Sequence, residues 1–437
     1  MQNQSLLANQ TPMRYFYTFL FYLALPFIFI RLLWRGRQLP AYRKRLGERM
    51  GYYPFTLQKS IWVHAVSVGE VLAAIPLIKA LKSRHPNTLF LVTTMTPTGA
   101  DRVKVALGKS VYHAYIPYDV PDAMSRFLKK MNPIVAIIME TELWPNLIAS
   151  CNKKQIPICL VNARLSEKSA KGYARIAGLT RNMLQKINII AAHGEKDAER
   201  FVQLGAPKDR ISVTGNIKFD LELPQQLVDQ SKEIREKLGR DRFIWIAAST
   251  HEGEEEKILA AHRLLLKKYP EALLILVPRH PDRFDAVMKL CEQSAFKTVR
   301  RSLSSHSFCE EPLSEMNVYL GDTMGELLLL YGVSDVAFVG GSLVSRGGHN
   351  MLEPGALGKP ILTGPYLFNF AEISELFVSA NALIKVPDEK TLAEQLDRFI
   401  KNPDERTQTG KRALRVMDAN RGALQKQLEL IEKVLMV

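Results

Sequence analysis

Cysteine is scarce: four in 437 residues, at Cys151, Cys159, Cys291 and Cys309, with no CxxC spacing and no companion histidine cluster. That excludes a disulfide frame and a thiolate zinc site, and leaves reduced, structural thiols of the cytosolic kind. Low-complexity tracts and short repeats are also missing. With 47% hydrophobic and 24% charged residues, a disordered or fibrous chain is excluded. Acidic side chains are in deficit, 44 against 59 Lys and Arg, which leaves a net charge of +15 and implies an anionic partner. No segment interleaves aromatic with basic residues as nucleic-acid binders do, so nucleic acid is set aside. An anionic membrane surface or a phosphorylated lipid remains.

Charge is wholly absent from Tyr15 to Ile30, a run of aromatic and aliphatic residues. Extended by Leu32, Leu33 and Trp34, it reaches the roughly 20 residues that a bilayer span needs. Only Arg14 precedes the run, whereas Arg31, Arg35, Arg37, Arg43, Lys44, Arg45 and Arg49 follow it, opposed by Glu48 alone. A cleavable signal has the reverse arrangement and a small-residue cleavage site, so residues 1–40 are expected to be a retained membrane anchor. The charge bias is expected to leave the rest of the chain on the cytoplasmic side. Pro26 interrupts the run, so both a spanning helix and one lying in the interface stay open.

Beyond residue 50, near-continuous apolar segments alternate with helical ones. Strands are predicted at Ile61–Ser67, Leu89–Met95, Val111–Pro117, Ile134–Met139, Ile158–Asn162, Ile187–Ala192 and Ile211–Thr214, then at Phe243–Ala248, Leu273–Val277, Val318–Gly321, Val336–Gly340 and Pro360–Thr363. This pattern indicates α/β architecture: two Rossmann-like, doubly wound domains with parallel sheets covered on both faces. The break at Leu221–Lys237 divides them into 41–222 and 223–437. Ligands of such sheets bind beyond the carboxyl ends of the strands, so two facing domains would form a cleft there.

The motifs all fall at those ends. Val339-Gly-Gly-Ser-Leu-Val-Ser-Arg-Gly-Gly-His-Asn-Met-Leu-Glu-Pro354 reads as strand, glycine turn and a helix opening near His349 and Asn350. Glycines allow close backbone approach and a helix start attracts an anion, while Glu353 could accept from sugar hydroxyls. A plain strand-to-helix turn is the alternative. His64-Ala-Val-Ser-Val-Gly-Glu70 aims a carboxylate from a helix start. Glu70 is either a general base or an acid favoured there by the helix dipole. In Met139-Glu-Thr-Glu-Leu-Trp-Pro145, Glu140 and Glu142 would point the same way along an extended segment. Either could hold a catalytic group, a sugar hydroxyl or an arginine. Arg164 and Lys218, each ending a strand, suit an anionic substrate or are surface charges. Ser249 and Thr250 are N-cap types before an acidic first turn, and capping explains much of that segment. Pro278-Arg-His-Pro281 offers the planar fork of Arg279 to a phosphate or carboxylate. Gly321-Asp-Thr-Met-Gly-Glu326 is a polar turn where a nucleobase could sit.

The ordered set of motifs, His64–Glu70, Glu140–Pro145, Asn162–Leu165, Gly215–Asp220, Ser249–Glu255, Pro278–Pro281 and Gly341–Pro354, resembles the membrane-anchored Kdo transferases of Gram-negative lipopolysaccharide synthesis. The likeness covers nearly the whole chain. It implies a GT-B glycosyltransferase that moves 3-deoxy-D-manno-octulosonic acid (Kdo) from CMP-Kdo to the lipid A precursor with inversion. Glu70 would be the base, with Glu140 and Glu142 in competition for that role and Glu140 otherwise its partner. The resemblance further implies CMP against Arg279, His280, Met324, Gly341, Ser342, Gly348, Asn350 and Glu353. Ser67, Gly69, Glu142, Arg164, Lys218 and Ser249 would meet the acceptor or the Kdo moiety. A monophosphate donor needs no cation to bridge two phosphates, so neither metal nor other cofactor is expected. The rivals are another sugar-nucleotide enzyme on this architecture, an epimerase or a lipid A disaccharide synthase, and a membrane-bound nucleotide-sugar binder without chemistry.

Overall fold

The computed structural model describes residues 11–303 and 316–436, so Cys309 lies outside the described residues. The chain forms two compact units, one of residues up to Asp220 together with the segment from Arg421, the other Leu221–Asn420. In the first, β1 (Ser60–His64), β2 (Leu89–Thr94), β3 (Tyr112–Tyr115), β4 (Pro133–Met139), β5 (Ile158–Ala163), β6 (Ile189–Ala192) and β7 (Ile211–Val213) build a parallel sheet ordered β3-β2-β1-β4-β5-β6-β7. In the second, β8 (Ile244–Thr250), β9 (Leu273–Pro278), β10 (Thr298–Arg300), β11 (Val318–Leu320), β12 (Val336–Val339), β13 (Ile361–Thr363) and β14 (Leu383–Lys385) follow the order β10-β11-β9-β8-β12-β13-β14, again parallel.

Parallel strands need crossovers, and the crossover helices cover both faces, which is why β1 and β8 are buried at every position and read as unbroken apolar runs. The core of the first unit includes Trp62 edge-on to Phe127, with ring centroids 4.8 Å apart; that of the second centres on Trp245 and Phe338. Cys151, Cys159 and Cys291 are free and buried, and burial pushes the first two thiols up to about 12. Such thiols pack as small apolar groups and stay inert.

Three expectations need correction. The N-terminal helix, Thr11–Gln38, runs through Pro26 without a break. It also has a packed side: Thr18, Leu25 and Leu32 are buried, Phe29 meets Tyr118 edge-on at 5.6 Å, and Asn146 Nδ2 donates to Thr18 Oγ1 at 3.0 Å. Its other side exposes Phe16, Phe19, Leu23, Phe27, Ile30 and Trp34, a stripe at three- and four-residue spacing. Secondly, the last helix, Ala423–Leu435, packs with the first unit through Leu428 and Ile431, so the second unit stops at Asn420 rather than 437. Asp220 caps the start of that helix, accepting the Gly422 and Leu424 N–H groups at 2.5 and 2.6 Å. Thirdly, no helix opens at His349: five turn residues and an irregular stretch intervene before a five-residue helix, Leu352–Ala356.

Candidate functional site

In the first unit the chemistry gathers at the carboxyl ends of β1, β4, β5, β6 and β7. After β1 the chain turns into the helix Val68–Arg84, and Glu70 closes a capping box. Val66 N–H donates to Glu70 Oε2 at 2.8 Å and Ser67 N–H to Oε1 at 3.1 Å, while Ser67 Oγ accepts the Glu70 N–H at 3.3 Å. Glu70 is thus held in one rotamer and only 6% exposed. Burial pushes its carboxyl up to about 7; the bonds from Ser67 and Val66 oppose the rise, and Glu142 and Glu140 add to it. A carboxylate oxygen has two lone pairs, so each of these oxygens keeps acceptor capacity. A Cβ on Gly69 would touch only Ser67 Oγ at 3.8 Å, so the fold itself gives no steric reason for glycine there.

Glu140 is not extended. Its φ of 55° turns the chain out of β4, and its Oε1 meets Lys218 Nζ at 3.2 Å. Glu142 instead accepts from Trp144 Nε1 at 2.8 Å, so the two carboxylates answer to different partners. Burial, then Glu140, raises the Glu142 carboxyl. Asn162, at the end of β5, has φ 51°; its Oδ1 accepts the Ile217 N–H at 2.9 Å and its N–H reaches the buried Gln427. Non-glycine residues in left-handed conformation are held by their surroundings and concentrate at functional strand ends. Arg164 and Lys218 both lie beside His193, which burial followed by these two cations drives down to about 3. His193 Nε2, Asn162 Nδ2 and His64 Nε2 are buried without a hydrogen bond. The ring of His64 stands edge-on to Trp144 at 5.2 Å, and burial lowers its pKa to about 4.

In the second unit the glycine turn is real, but its N–H groups are already engaged. Glu254, fully buried, accepts from Gly341 at 2.7 Å, from Ser342 at 2.9 Å and from Leu343 at 2.8 Å. It also accepts the His251 N–H at 3.1 Å. Ser342 Oγ donates to Val339 O and accepts from Gly364. The N–H groups of Gly341 and Ser342 are thus taken by a carboxylate of the protein itself. Gly348 likewise donates its N–H to Gly341 O at 2.8 Å. Gly341 must be glycine, since with φ 67° an added Cβ would lie 2.8 Å from the His349 ring.

Histidines cluster beside the turn, within the field of several arginines. His251 and His349 stack, their Nε2 atoms 2.7 Å apart, and His280 stands edge-on to His251 at 5.5 Å. Burial, followed by Arg279, His251 and His280, pushes His349 down to about 4. Burial, then His280, Arg346, Arg279 and Arg283, lowers His251. Asn350 donates to Glu353 Oε1 at 3.0 Å and accepts the Leu352 N–H, which fixes Glu353 at the first turn of the short helix. Burial raises the Glu353 carboxyl, against Asn350 and Arg279. Ser249 and Thr250 are no N-cap: both end β8, and the helix begins at Glu255. Ser249, with φ 58°, lies so close under Gly340 that a Cβ there would meet its carbonyl at 2.7 Å. Met324 is exposed on a turn braced by Arg300 on Asp322 and by Arg301 on Glu326.

His193, Glu254, His251 and His349 were not among the residues that sequence reasoning selected. The available signal was a histidine directly after β6 and another directly after β8, with an acid three residues after His251.

Residues 44–221 match the family described as 3-Deoxy-D-manno-octulosonic-acid transferase (kdotransferase), and residues 241–416 match Glycosyl transferases group 1. A 3-deoxy-D-manno-octulosonic acid transferase of Haemophilus influenzae is 44% identical over 428 residues, which cover 97% of this chain and 99% of that one. The Bordetella pertussis protein of the same description is 34% identical over 397 residues, covering 89% and 90%. Among solved structures, the UDP-GlcNAc 2-epimerase of Neisseria meningitidis bound to UDP-GlcNAc covers 86% of this chain and 100% of its own, at a TM-score of 0.57 and 16% identity. That likeness concerns the fold alone: two Rossmann-like units of the GT-B class.

Proposed function

The chain belongs to the 3-deoxy-D-manno-octulosonic acid transferase family and is a Kdo glycosyltransferase, and from that premise we propose that it moves Kdo from CMP-Kdo to the lipid A precursor in lipopolysaccharide synthesis, inverting the anomeric carbon with Glu70 as general base. The observation that carries this is the state of Glu70: buried, held by two backbone N–H groups, and pushed up to about 7. A base works best when its pKa lies near the working pH.

Glu70 takes the proton of the attacking sugar hydroxyl as that oxygen bonds to the anomeric carbon of Kdo. The bond to CMP breaks on the opposite face, and its electron pair leaves on the phosphate oxygen. Open space beside Gly69 admits the acceptor, with Ser67 and Glu142 beside it. Arg164 and Lys218, with His193 between their fields, suit the Kdo carboxylate. In the second unit Arg279 and His280 meet the CMP phosphate, Glu353 takes the ribose hydroxyls, and Met324 flanks the base. Glu254 supports this constellation from below, by fixing the glycine turn and His251.

We also propose that the N-terminal helix lies along the cytoplasmic face of the inner membrane rather than crossing it. Its packed side is joined to the first unit at Thr18, Leu25, Phe29 and Leu32, and a crossing would draw that surface into hydrocarbon. Its exposed aromatic stripe would enter the interface, and the basic residues after it would meet anionic headgroups.

Kdo transfer from CMP-Kdo to lipid IV-A in detergent, for wild type and Glu70→Gln alongside CMP affinity, tests the assignment. Loss of transfer by about 10²–10⁴-fold with CMP affinity intact supports it. Undiminished transfer in Glu70→Gln would move the base to Glu140 or Glu142, and binding without transfer in wild type would leave a nucleotide-sugar binder.

A further inference from the structure

A separate cavity of about 840 Å³ opens in the first unit, between the segment that follows the basic N-terminal stretch and the helix Pro121–Met131. Tyr52, Tyr53 and Pro54 form its carbon walls; Arg126, Lys129 and Lys130 supply its charge. It is a built feature. Gly51, at φ 81°, lets the chain pass so near the helix that a Cβ would lie 2.5 Å from Ala123 O. Arg126 donates from Nε and a terminal nitrogen to Met50 O at 2.9 and 2.8 Å, and its guanidinium sits 4.7 Å from the Tyr52 ring centroid. Tyr53 is pinned by bonds from its hydroxyl to Glu48 O and Tyr115 O. Tyr52 stays 62% exposed, with Lys129 and Lys130 also exposed. The nearest carboxylate on that helix, Asp122, is engaged by Arg126 and by the hydroxyl of Tyr22.

Tyr22 belongs to the N-terminal helix. One helix face, Asp122 to Arg126 to Lys129 and Lys130, thus leads from the proposed membrane-lying helix into the cavity. Lys129 and Lys130 stand roughly 11–12 Å along from Asp122, at 1.5 Å per residue. They lie toward the amino ends of the strands, since Leu57 N–H bonds Lys130 O and Ser60 N–H bonds Asn132 O just before β1 and β4 begin. The sugar-transfer residues lie at the opposite, carboxyl ends.

We propose that this cavity binds one anionic phospholipid from the membrane surface, its phosphate between Lys129 and Lys130 and its glycerol and upper acyl carbons against Tyr52, Tyr53 and Pro54. The occupant is amphiphilic because the walls are carbon while the rim is cationic. It is a resident lipid and not the acceptor, because the cavity faces away from Glu70. A lipid held there tethers the unit by a second point besides the aromatic stripe. The proposal rests on the membrane-lying reading of the N-terminal helix.

The test uses the full chain and vesicles of phosphatidylcholine, with and without phosphatidylglycerol. Expected is binding to both, tighter on the anionic vesicles, with Lys129→Glu/Lys130→Glu losing about tenfold or more of the anionic preference. Lys79→Glu/Lys104→Glu, on helices packed against the other side of the sheet, should lose far less. Tyr52→Ala should release phosphatidylglycerol that native mass spectrometry finds on the wild type. Equal losses in both double variants, or unchanged lipid retention in Tyr52→Ala, would overturn the cavity. Failure of the wild type to bind any vesicle would instead sink the membrane-lying helix. A raised KM for lipid IV-A with phospholipid binding unaltered would make the acceptor the occupant and overturn the proposal.

Discussion

Glu254 Oε2 accepts the N–H of Gly341 at 2.7 Å, and through that bond a residue after β8 holds the turn after β12. Its other oxygen takes two further N–H groups, so one internal carboxylate orders the glycine turn. Under the proposed function a donor phosphate would instead meet the side chain of Arg279.

Glu254→Gln sets an amide N–H₂ against those backbone donors. The variant should lose about 3 kcal/mol of second-unit stability, since bonds to a charged acceptor contribute about 1.5–3 kcal/mol each and a mismatched donor adds its own penalty. Denaturant unfolding reads this directly. A midpoint equal to wild type would show that the turn holds without the carboxylate.

As the proposed base, Glu70 should set the acid limb of the rate. Its folded pKa is about 7 against an ordinary 4.5, so kcat should rise about tenfold per pH unit below 7 and level off above it. The stability sign runs the other way. The folded state binds the extra proton between pH 4.5 and 7, so stability falls as pH rises through that window, by up to about 3 kcal/mol. Glu70→Gln should abolish both slopes, measurable by rate profiles and by thermal unfolding across pH.

His251 and His349 are kept neutral by burial and by the surrounding arginines. An arriving anion offsets those arginines, so CMP-Kdo binding should draw a proton from solvent, up to about one per site. Calorimetry on Glu70→Gln, which holds donor without turnover, in buffers of differing ionisation enthalpy measures the uptake. Zero uptake at pH 6 would mean that the pair does not feel the donor.

Asp220 caps the final helix. Asp220→Ala should destabilise the first unit by about 1–2 kcal/mol and release the last segment to proteolysis ahead of global unfolding. Cleavage as slow as in wild type would assign the holding role to Gln427.

Chelator treatment supplies a further check. The proposed monophosphate leaving group, met by Arg279 and His280, would need no bridging cation, so Kdo transfer should be unchanged after EDTA dialysis. Activity lost to EDTA and restored by Mg²⁺ would refute that.

The sheets were legible because parallel strands buried on both faces leave unbroken apolar runs, as at Ile134–Met139 and Leu273–Val277. The short edge strands β10 and β14 were not, since Thr-Val-Arg and Leu-Ile-Lys carry no such run. Glu70, Arg279 and Glu353 stood out by motif. Glu254 did not, because an acid in a polar turn reads as capping until the turn from 87 residues away closes over it. The conformation of Glu140 was hidden for a similar reason: left-handed φ at a non-glycine residue is imposed by tertiary contacts, here Lys218 and the Val161 carbonyl. The extent of the second unit was misjudged because the final helix has an ordinary amphipathic pattern, which does not say against which sheet it packs.

The final helix has a consequence for biosynthesis. Its Leu428 and Ile431 complete the apolar layer over the first sheet, so that layer stays open until these residues leave the ribosome. Residues 221–420 emerge whole before then and can fold first, reversing the usual amino-to-carboxyl order. A stop codon before Leu428 would therefore damage the half of the protein made earliest.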